Sequence, residues 1–316
     1  MKRPSPAARK TFRLGTRGSR LALAQSGEIR RRLAALWPRL RFETVVVKTT
    51  GDEFQGVELF RKSGVGVFTK AIEKKLLSGE IDFAVHSLKD LPTDLPKGLV
   101  LAAVPRRLDP GDVLLSKKRH TLSSLPSGAV VGTGSPRRKR QILLARPDLE
   151  ARDLRGNLDT RVRKMLDGEV DAIVVARAGL LRLKKFTRYA RPIPTSVVLP
   201  AVGQAALAIE ARRTDAETIR LLRRLSHAPT EIEVAAERAF LKALRGGCRV
   251  PVGILTTVRG RSIRLRAAVF SVNSSDFMTG RGAGPASRAE AVGRSLAASL
   301  LKKGAARFLR QARERA

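Results

Sequence analysis

The stretch Val130-Val131-Gly132-Thr133-Gly134-Ser135-Pro136-Arg137-Arg138 runs from a short β-branched segment, through a glycine-rich turn, into a helix. Ser135 is placed to cap that helix, and Pro136 suits its first position. A strand that turns directly into a helix N-terminus presents backbone N–H groups to an anion. Two arginines in the first turn oppose the helix dipole, where acids are preferred, so they carry a local cost that a bound anion relieves. Gly132-x-Gly134 does not make a dinucleotide loop, because Arg137 stands at the third glycine position and no Lys-Ser/Thr pair follows.

The same grammar recurs on either side. Leu14-Gly15-Thr16-Arg17-Gly18-Ser19-Arg20 leads from a short strand into an amphipathic helix over residues 21–36. It reads either as a helix capped by Ser19 with solvated arginines or as a second anion-binding turn. Leu154-Arg155-Gly156-Asn157-Leu158-Asp159-Thr160-Arg161 is a third junction, with Asp159 or Thr160 available to cap a helix containing Val162, Met165 and Leu166. Each arginine alone reads as a surface residue. Their recurrence at three strand-to-helix junctions points to a ligand with several carboxylates, bound beyond the carboxyl ends of the strands.

Further strands are expected at 44–48, 81–85, 99–104, 129–132 and 170–176, with a helix stripe of Phe68, Ile72, Leu76 and Leu77 ended by Gly79. Strand and helix alternate, which is α/β organisation. Turn-rich segments at 105–112 and 199–203 are the expected hinges. After about residue 226 the pattern changes to a helix at 231–245, a strand at 263–269 and an Ala/Leu-rich helix from Ser287, a smaller α+β domain. The chain has 316 residues, enough for two or three domains.

Composition sets limits. No apolar run approaches the roughly 20 residues of a membrane span, and Met1-Lys2-Arg3 is not followed by the apolar core of a secretory signal. A cytoplasmic enzyme is expected. The balance of 63 Lys and Arg against 28 Asp and Glu, a formal +35, raises the question of nucleic acid. Aromatic residues make up only 4% of the chain, too few for the stacking platforms of single-strand binders, so no nucleic-acid partner is expected. Arg307, Arg310, Arg313 and Arg315 have the helical spacing of a solvated face.

Two segments carry candidate chemistry. Ile81-Asp82-Phe83-Ala84-Val85-His86-Ser87-Leu88-Lys89-Asp90-Leu91-Pro92 is a buried-type strand that ends in polar residues. Lys89 and Asp90 there read either as a proton-handling pair or as a surface ion pair, and His86 as a core histidine without partners at metal-ligand spacing. No metal is expected. Cys248, the only cysteine, follows Gly246-Gly247 on a loop between Arg245 and Arg249. It reads as a small buried hydrophobe or as a thiolate nucleophile favoured by those arginines.

Together the segments TRGSRLALAQ, FAVHSLKDLPT, VGTGSPRRKRQ, LRGNLDTRVRK, LPAVGQAALAIE and GGCRVPVG, in that order, resemble the porphobilinogen deaminase (hydroxymethylbilane synthase) family over nearly the whole chain. The resemblance implies two α/β domains like those of periplasmic binding proteins plus a smaller α+β domain. The expected boundaries are 11–105 with 205–224, then 106–204, then 226–316 with the cysteine loop. It implies a transferase of tetrapyrrole biosynthesis that condenses four porphobilinogen units, with release of ammonia, on a dipyrromethane primer held through a thioether by Cys248. Asp90 and Lys89 then match the catalytic positions. Ser135, Arg137, Arg138 and Arg155 match cofactor-binding positions, and Arg17, Ser19, Arg161 and Arg182 substrate-binding ones. A cytoplasmic monomer acting on a small molecule, away from any membrane, is implied. Two departures stand out: Gly64-Val65-Gly66-Val67-Phe68 lacks a loop lysine found in many relatives, and Gly134 replaces a usual serine.

Overall fold

The computed structural model describes residues 10–48, 69–245 and 250–314. Contacts divide the chain into two compact units. The first comprises Met1–His86, Asp94–Val104 and Leu207–Ser226, and the second Ser87–Thr93, Pro105–Ala206 and His227–Ala316.

The first unit is built on a sheet of order β2-β1-β3-β10-β4, from β1 (Thr11–Arg17), β2 (Arg41–Val47), β3 (Phe83–Ser87), β4 (Leu99–Ala103) and β10 (Leu207–Arg212). β1 lies parallel to β2 and β3, with Leu14 opposite Thr44 on one side and Phe83 on the other. β10 runs antiparallel to β4. Helix α1 (Arg20–Leu36) buries Gln25, Ile29 and Leu33, residues four apart on one face. Ile29 and Leu33 join Phe12, Leu14, Phe83 and Ile209 in one core cluster. Helix α2 (Lys70–Leu77) buries Ile72 and Leu76, and Gly79 takes the left-handed conformation (φ 77°) just beyond its end. Phe68 and the Gly64–Phe68 departure lie outside the described residues.

The second unit repeats that plan. Its sheet has the order β7-β6-β8-β5-β9, from β5 (Asp112–Ser116), β6 (Val130–Gly132), β7 (Glu150–Arg152), β8 (Ala172–Ala176) and β9 (Ala190–Pro192). β6 is parallel to β7 and β8, whereas β5 is antiparallel to β8 and β9. In each sheet a parallel trio is completed by an antiparallel strand reached through a chain crossing: β10 in the first unit, β5 in the second. This is the periplasmic-binding-protein type of α/β architecture. Helices α3 (Pro136–Ala145), α4 (Leu158–Asp167) and α5 (Arg177–Leu183) accompany the second sheet, and α6 (Ala216–Arg223) follows β10 in the first unit.

The same unit carries a three-stranded antiparallel sheet, β11 (Val252–Arg259), β12 (Ser262–Phe270) and β13 (Phe277–Pro285). It packs with α7 (Ala228–Ala243) and α8 (Ala289–Leu300) around Phe240, Ile263, Leu265, Leu296 and Phe308. The two helices touch through Gly293, where an added Cβ would lie 2.2 Å from the carbonyl oxygen of Ala236. A side chain there would force them apart.

Several expectations need correction. The segment 105–112 is not all turn, since Asp112 opens the fully buried strand β5. The cap of α4 is Asn157 rather than Asp159 or Thr160, and its side chain accepts from Thr160 N at 2.9 Å. An Asn one residue before the helix satisfies the free N–H groups from outside the first turn, which residues already inside it do less well. Arg313 is not merely solvated, because its guanidinium donates to the carbonyls of Leu244 (3.3 Å) and Arg245 (3.0 Å) near the end of α7. Arg315 lies outside the described residues.

Candidate functional site

β3 ends at Ser87 and the chain turns through a short 3-10 helix, Leu88–Asp90, so that Lys89 and Asp90 project just past a strand end. The turn is fixed by Leu88 N donating to Ala206 O at 3.0 Å and Leu91 N to Leu88 O at 3.1 Å. Arg238 of α7 holds the next residues by donating to the carbonyls of Pro92 (2.8 Å) and Thr93 (2.9 Å). Asp90 is exposed and Lys89 half-buried. Burial lowers the Lys89 pKa, Asp90 opposes that shift, and the neighbouring Arg138 and Arg137 add to it while Asp112 offsets them. Lys89 therefore senses all four charges, and is not half of an isolated surface pair.

At the junction of β6 and α3, Ser135 caps the helix by accepting from Arg138 N at 3.5 Å. Arg137 and Arg138 are almost wholly buried, at 4% and 6% exposure. Both find the same carboxylate: Asp112 Oδ2 is 2.8 Å from Arg137 Nη2, and Asp112 Oδ1 is 2.8 Å from Arg138 Nη2. Gln204 Nε2 donates to Asp112 Oδ1 at 3.0 Å. Burial alone would raise the Asp112 pKa, but the two arginines outweigh it and hold it at about 2. Arg137 also donates to the Leu199 carbonyl. Arg138 Nε is buried without a hydrogen-bond partner among the described residues.

Arg161, at the third junction, has its pKa lowered by burial and by Arg138, which places it in the field of the same cationic group. Its Nε donates to Gly156 O at 2.8 Å. Arg155 is exposed on the preceding turn. Arg182, on α5, donates to Ala205 O at 3.0 Å. Arg17 and Ser19 belong to the first unit, where Ser19 Oγ caps α1 by accepting from Ala22 N at 3.3 Å and Arg17 ends β1. Cys248 and its loop neighbours lie outside the described residues.

The second unit thus holds an exposed carboxylate, Asp90, next to Lys89, which lies in the field of Arg137 and Arg138; Arg161 lies in the field of Arg138, and one buried carboxylate, Asp112, pairs with Arg137 and Arg138. Such a group favours a ligand bearing several carboxylates. Family models match most of the chain: porphobilinogen deaminase, dipyromethane cofactor binding domain, over residues 12–220, and porphobilinogen deaminase, C-terminal domain, over residues 231–302. This chain belongs to the porphobilinogen deaminase family. Curated relatives of the family named porphobilinogen deaminase include one from Desulforudis audaxviator, 49% identical over 95% of this chain and 97% of its own. Another from Thermus thermophilus is 47% identical over 95% of this chain and 98% of its own. Among solved structures, a putative methionine-binding lipoprotein from Bacillus subtilis superposes with a TM-score of 0.42 at 14% identity, covering 69% of this chain and 90% of that one.

The residues present fit a porphobilinogen deaminase's dipyrromethane, a group with acetate and propionate arms: the unpartnered, buried Arg138 Nε is a donor in want of an acceptor. The histidines are otherwise engaged. His86 Nε2 lies 3.1 Å from Glu210 Oε2, both buried, which fits the core reading. His227 caps α7, its Nδ1 2.9 Å from Thr230 Oγ1. Among the described residues no group of three His, Cys, Asp or Glu side chains is arranged to hold a metal, and no helix is long and apolar enough to cross a membrane. Reading the sequence alone missed Asp112 and Gln204. The only local signal for Asp112 was an acid between Gly111 and a run of apolar residues.

Proposed function

We propose that this chain is a hydroxymethylbilane synthase in which Asp90 carries the chemistry and the cations around Asp112 carry the ligand's carboxylates. The enzyme is a transferase of tetrapyrrole biosynthesis that assembles hydroxymethylbilane from porphobilinogen. The observation that supports the assignment of roles is one exposed carboxylate, Asp90, next to the half-buried Lys89, which lies in the field of the buried Arg137 and Arg138.

In each cycle the aminomethyl C–N bond of porphobilinogen breaks, ammonia departs, a carbon–carbon bond forms at the end of the growing chain, and that carbon loses its proton. Cys248 would hold the dipyrromethane, which when bound would supply the pyrrole carbon at which the chain grows. Asp90 faces positive charge developing on the substrate pyrrole and stabilises it as a fixed carboxylate. The same oxygens are placed to pass a proton to the departing amine and to take one from the joined carbon. Lys89 stands next to Asp90 and, with its pKa lowered by burial, is poised to exchange a proton more readily than an ordinary lysine.

Arg138, Arg137, Ser135 and Arg155 are assigned to the primer's carboxylates, and Arg17, Ser19, Arg161 and Arg182 to those of incoming substrate. The second unit is proposed to comprise two domains, 106–204 and 226–316, beside a first of 11–105 with 205–224. Separate hydrophobic cores support that division: one centred on Leu114, Val131 and Val174, another on Phe240, Ile263 and Leu296. The proposed setting is a cytoplasmic monomer.

Supplying the purified protein with porphobilinogen tests this reading. Ammonia and a linear tetrapyrrole should appear together, and an Asp90→Asn variant that retains the fold should release neither at a comparable rate. Turnover by Asp90→Asn at the parent rate would overturn the role given to Asp90.

A further inference from the structure

Arg137 and Arg138 occupy the first turn of α3, both buried, both cationic, and both opposing the positive end of the helix dipole. Burial chiefly lowers the Arg137 pKa; Asp112 opposes that shift and Arg138 adds to it. Left to themselves, two such guanidinium groups would turn apart or recruit water and solute anions. They are instead joined through one carboxylate. Asp112 Oδ1 accepts hydrogen bonds from Arg138 Nη2 at 2.8 Å and Gln204 Nε2 at 3.0 Å, while its Oδ2 lies at ion-pair distance, 2.8 Å, from Arg137 Nη2 without hydrogen-bond geometry.

We infer that Asp112 is a positioning residue for the polycarboxylate ligand, a permanent counter-ion that aims Arg137 and Arg138 before the ligand arrives. The inference rests on the assignment of those arginines to ligand carboxylates made above. Three observations carry it. Asp112 is 1% exposed, so its carboxylate serves the protein interior and not solvent. It is the first residue of β5, a fully buried strand hydrogen-bonded on both sides, so its backbone cannot drift. And it does not exhaust the arginines. Among the described residues Asp112 is the acceptor for Arg138 Nη2, while Arg138 Nε is buried with no partner.

The consequence runs against simple charge arithmetic. Removing a negative charge from a cationic pocket should strengthen anion binding, if only Coulomb attraction mattered. Positioning predicts the opposite, because a guanidinium binds a carboxylate well only when its planar fork is held in register. Burial of the three groups makes orientation the larger effect here.

The experiment uses the full-length protein in primer-free form, produced without porphobilinogen, then exposed to it. Intact mass follows the fraction of molecules that acquire the covalent two-pyrrole addition, and steady-state kinetics on fully loaded enzyme follow KM and kcat. Asp112→Asn keeps shape and removes charge; Asp112→Glu keeps charge and displaces it by one methylene. Positioning predicts that both load primer more slowly than the parent, on the order of tenfold or more for Asp112→Asn. It also predicts that KM rises by a larger factor than kcat falls. If Asp112→Asn does not fold, Asp112→Glu alone decides.

Loading and KM equal to or better than the parent's in a folded variant would overturn the inference and leave Asp112 as a structural counter-charge. Arg138→Gln separates this from the underlying assignment. If Arg138→Gln loads and turns over like the parent, the assignment of the arginines fails. If Arg138→Gln is impaired and both Asp112 variants are not, only the role of Asp112 fails.

Discussion

Glu237 on α7 stands 3.0 Å from Arg107 through Oε1, and its Oε2 accepts from Gly203 N at 2.7 Å. Arg107 Nε also lies 3.0 Å from Glu233 Oε2, and Arg107 Nη2 donates to Thr256 O at 3.1 Å. One helix thus grips both the 105–111 and the 199–206 segments. The grip needs Gly203, since a Cβ there would lie 2.1 Å from Leu88 Cδ2 and φ is 67°.

Removing Arg107 leaves the buried Glu237 without its cation, whereas removing Glu237 leaves Arg107 its bridge to Glu233. Arg107→Ala is expected to cost about 3–5 kcal/mol of unfolding free energy, and Glu237→Ala less. The double variant should cost less than the sum, because neither partner is then left alone. Denaturant midpoints of the four proteins measure the coupling, and strict additivity would contradict a direct interaction.

Asp90 should behave in the opposite way. It is exposed, so Asp90→Asn should move stability by no more than about 0.5 kcal/mol. Its kcat should fall by roughly two to three powers of ten, the usual loss when one preorganised group facing transition-state charge is removed. Thermal unfolding beside initial rates separates the two. A destabilised variant with normal kcat would assign Asp90 to structure.

Acid should reveal Asp112. Its folded-state pKa is held at about 2 against an ordinary 3.8, so it contributes stability that is fully present above about pH 4 and is lost as pH falls towards 2. The stability gap between the parent and Asp112→Asn should therefore be constant above pH 4 and close below it. A gap unchanged down to pH 2 would mean that the carboxylate is not the source of the difference.

His227 gives a milder dependence. Burial chiefly, with Arg106 second, lowers its pKa below 6.5, and its Nδ1 acts as acceptor at the start of α7. A group whose pKa is depressed by folding contributes stability present above pH 6.5 and lost as pH falls through its folded value. His227→Asn should keep the cap and remove that pH dependence, whereas His227→Ala should cost about 1 kcal/mol at neutral pH. Unfolding midpoints between pH 5 and 8 provide the comparison.

These residues also show what a sequence can and cannot disclose. Caps at Ser19 and Ser135 were legible because a cap is a local bargain between one side chain and N–H groups three residues on. The expected caps Asp159 and Thr160 lie two and three residues past the actual cap, Asn157, already inside the helix. Asp112 and Arg138 are 26 residues apart, and Arg107 and Glu237 are 130 apart, so nothing local announces either pair. Strand β5 was hidden by Pro110-Gly111 before it and Lys117-Lys118 after it, which make a turn-rich frame around five buried residues. The antiparallel strands β5 and β10, which complete the two sheets, depend on long crossings that periodicity does not encode. The proposed primer-holding role of Cys248 rests on family resemblance and not on spacing.

The central claim is that this chain builds its own pyrrole primer on Cys248 and extends it. Intact mass of the purified protein beside Cys248→Ser, each after exposure to porphobilinogen, tests it most directly. The account predicts a stable covalent addition of two linked pyrrole units on the parent, further additions as substrate is supplied, and neither on the serine variant. A correctly folded parent that stays unmodified, or an equal addition on Cys248→Ser, would contradict it.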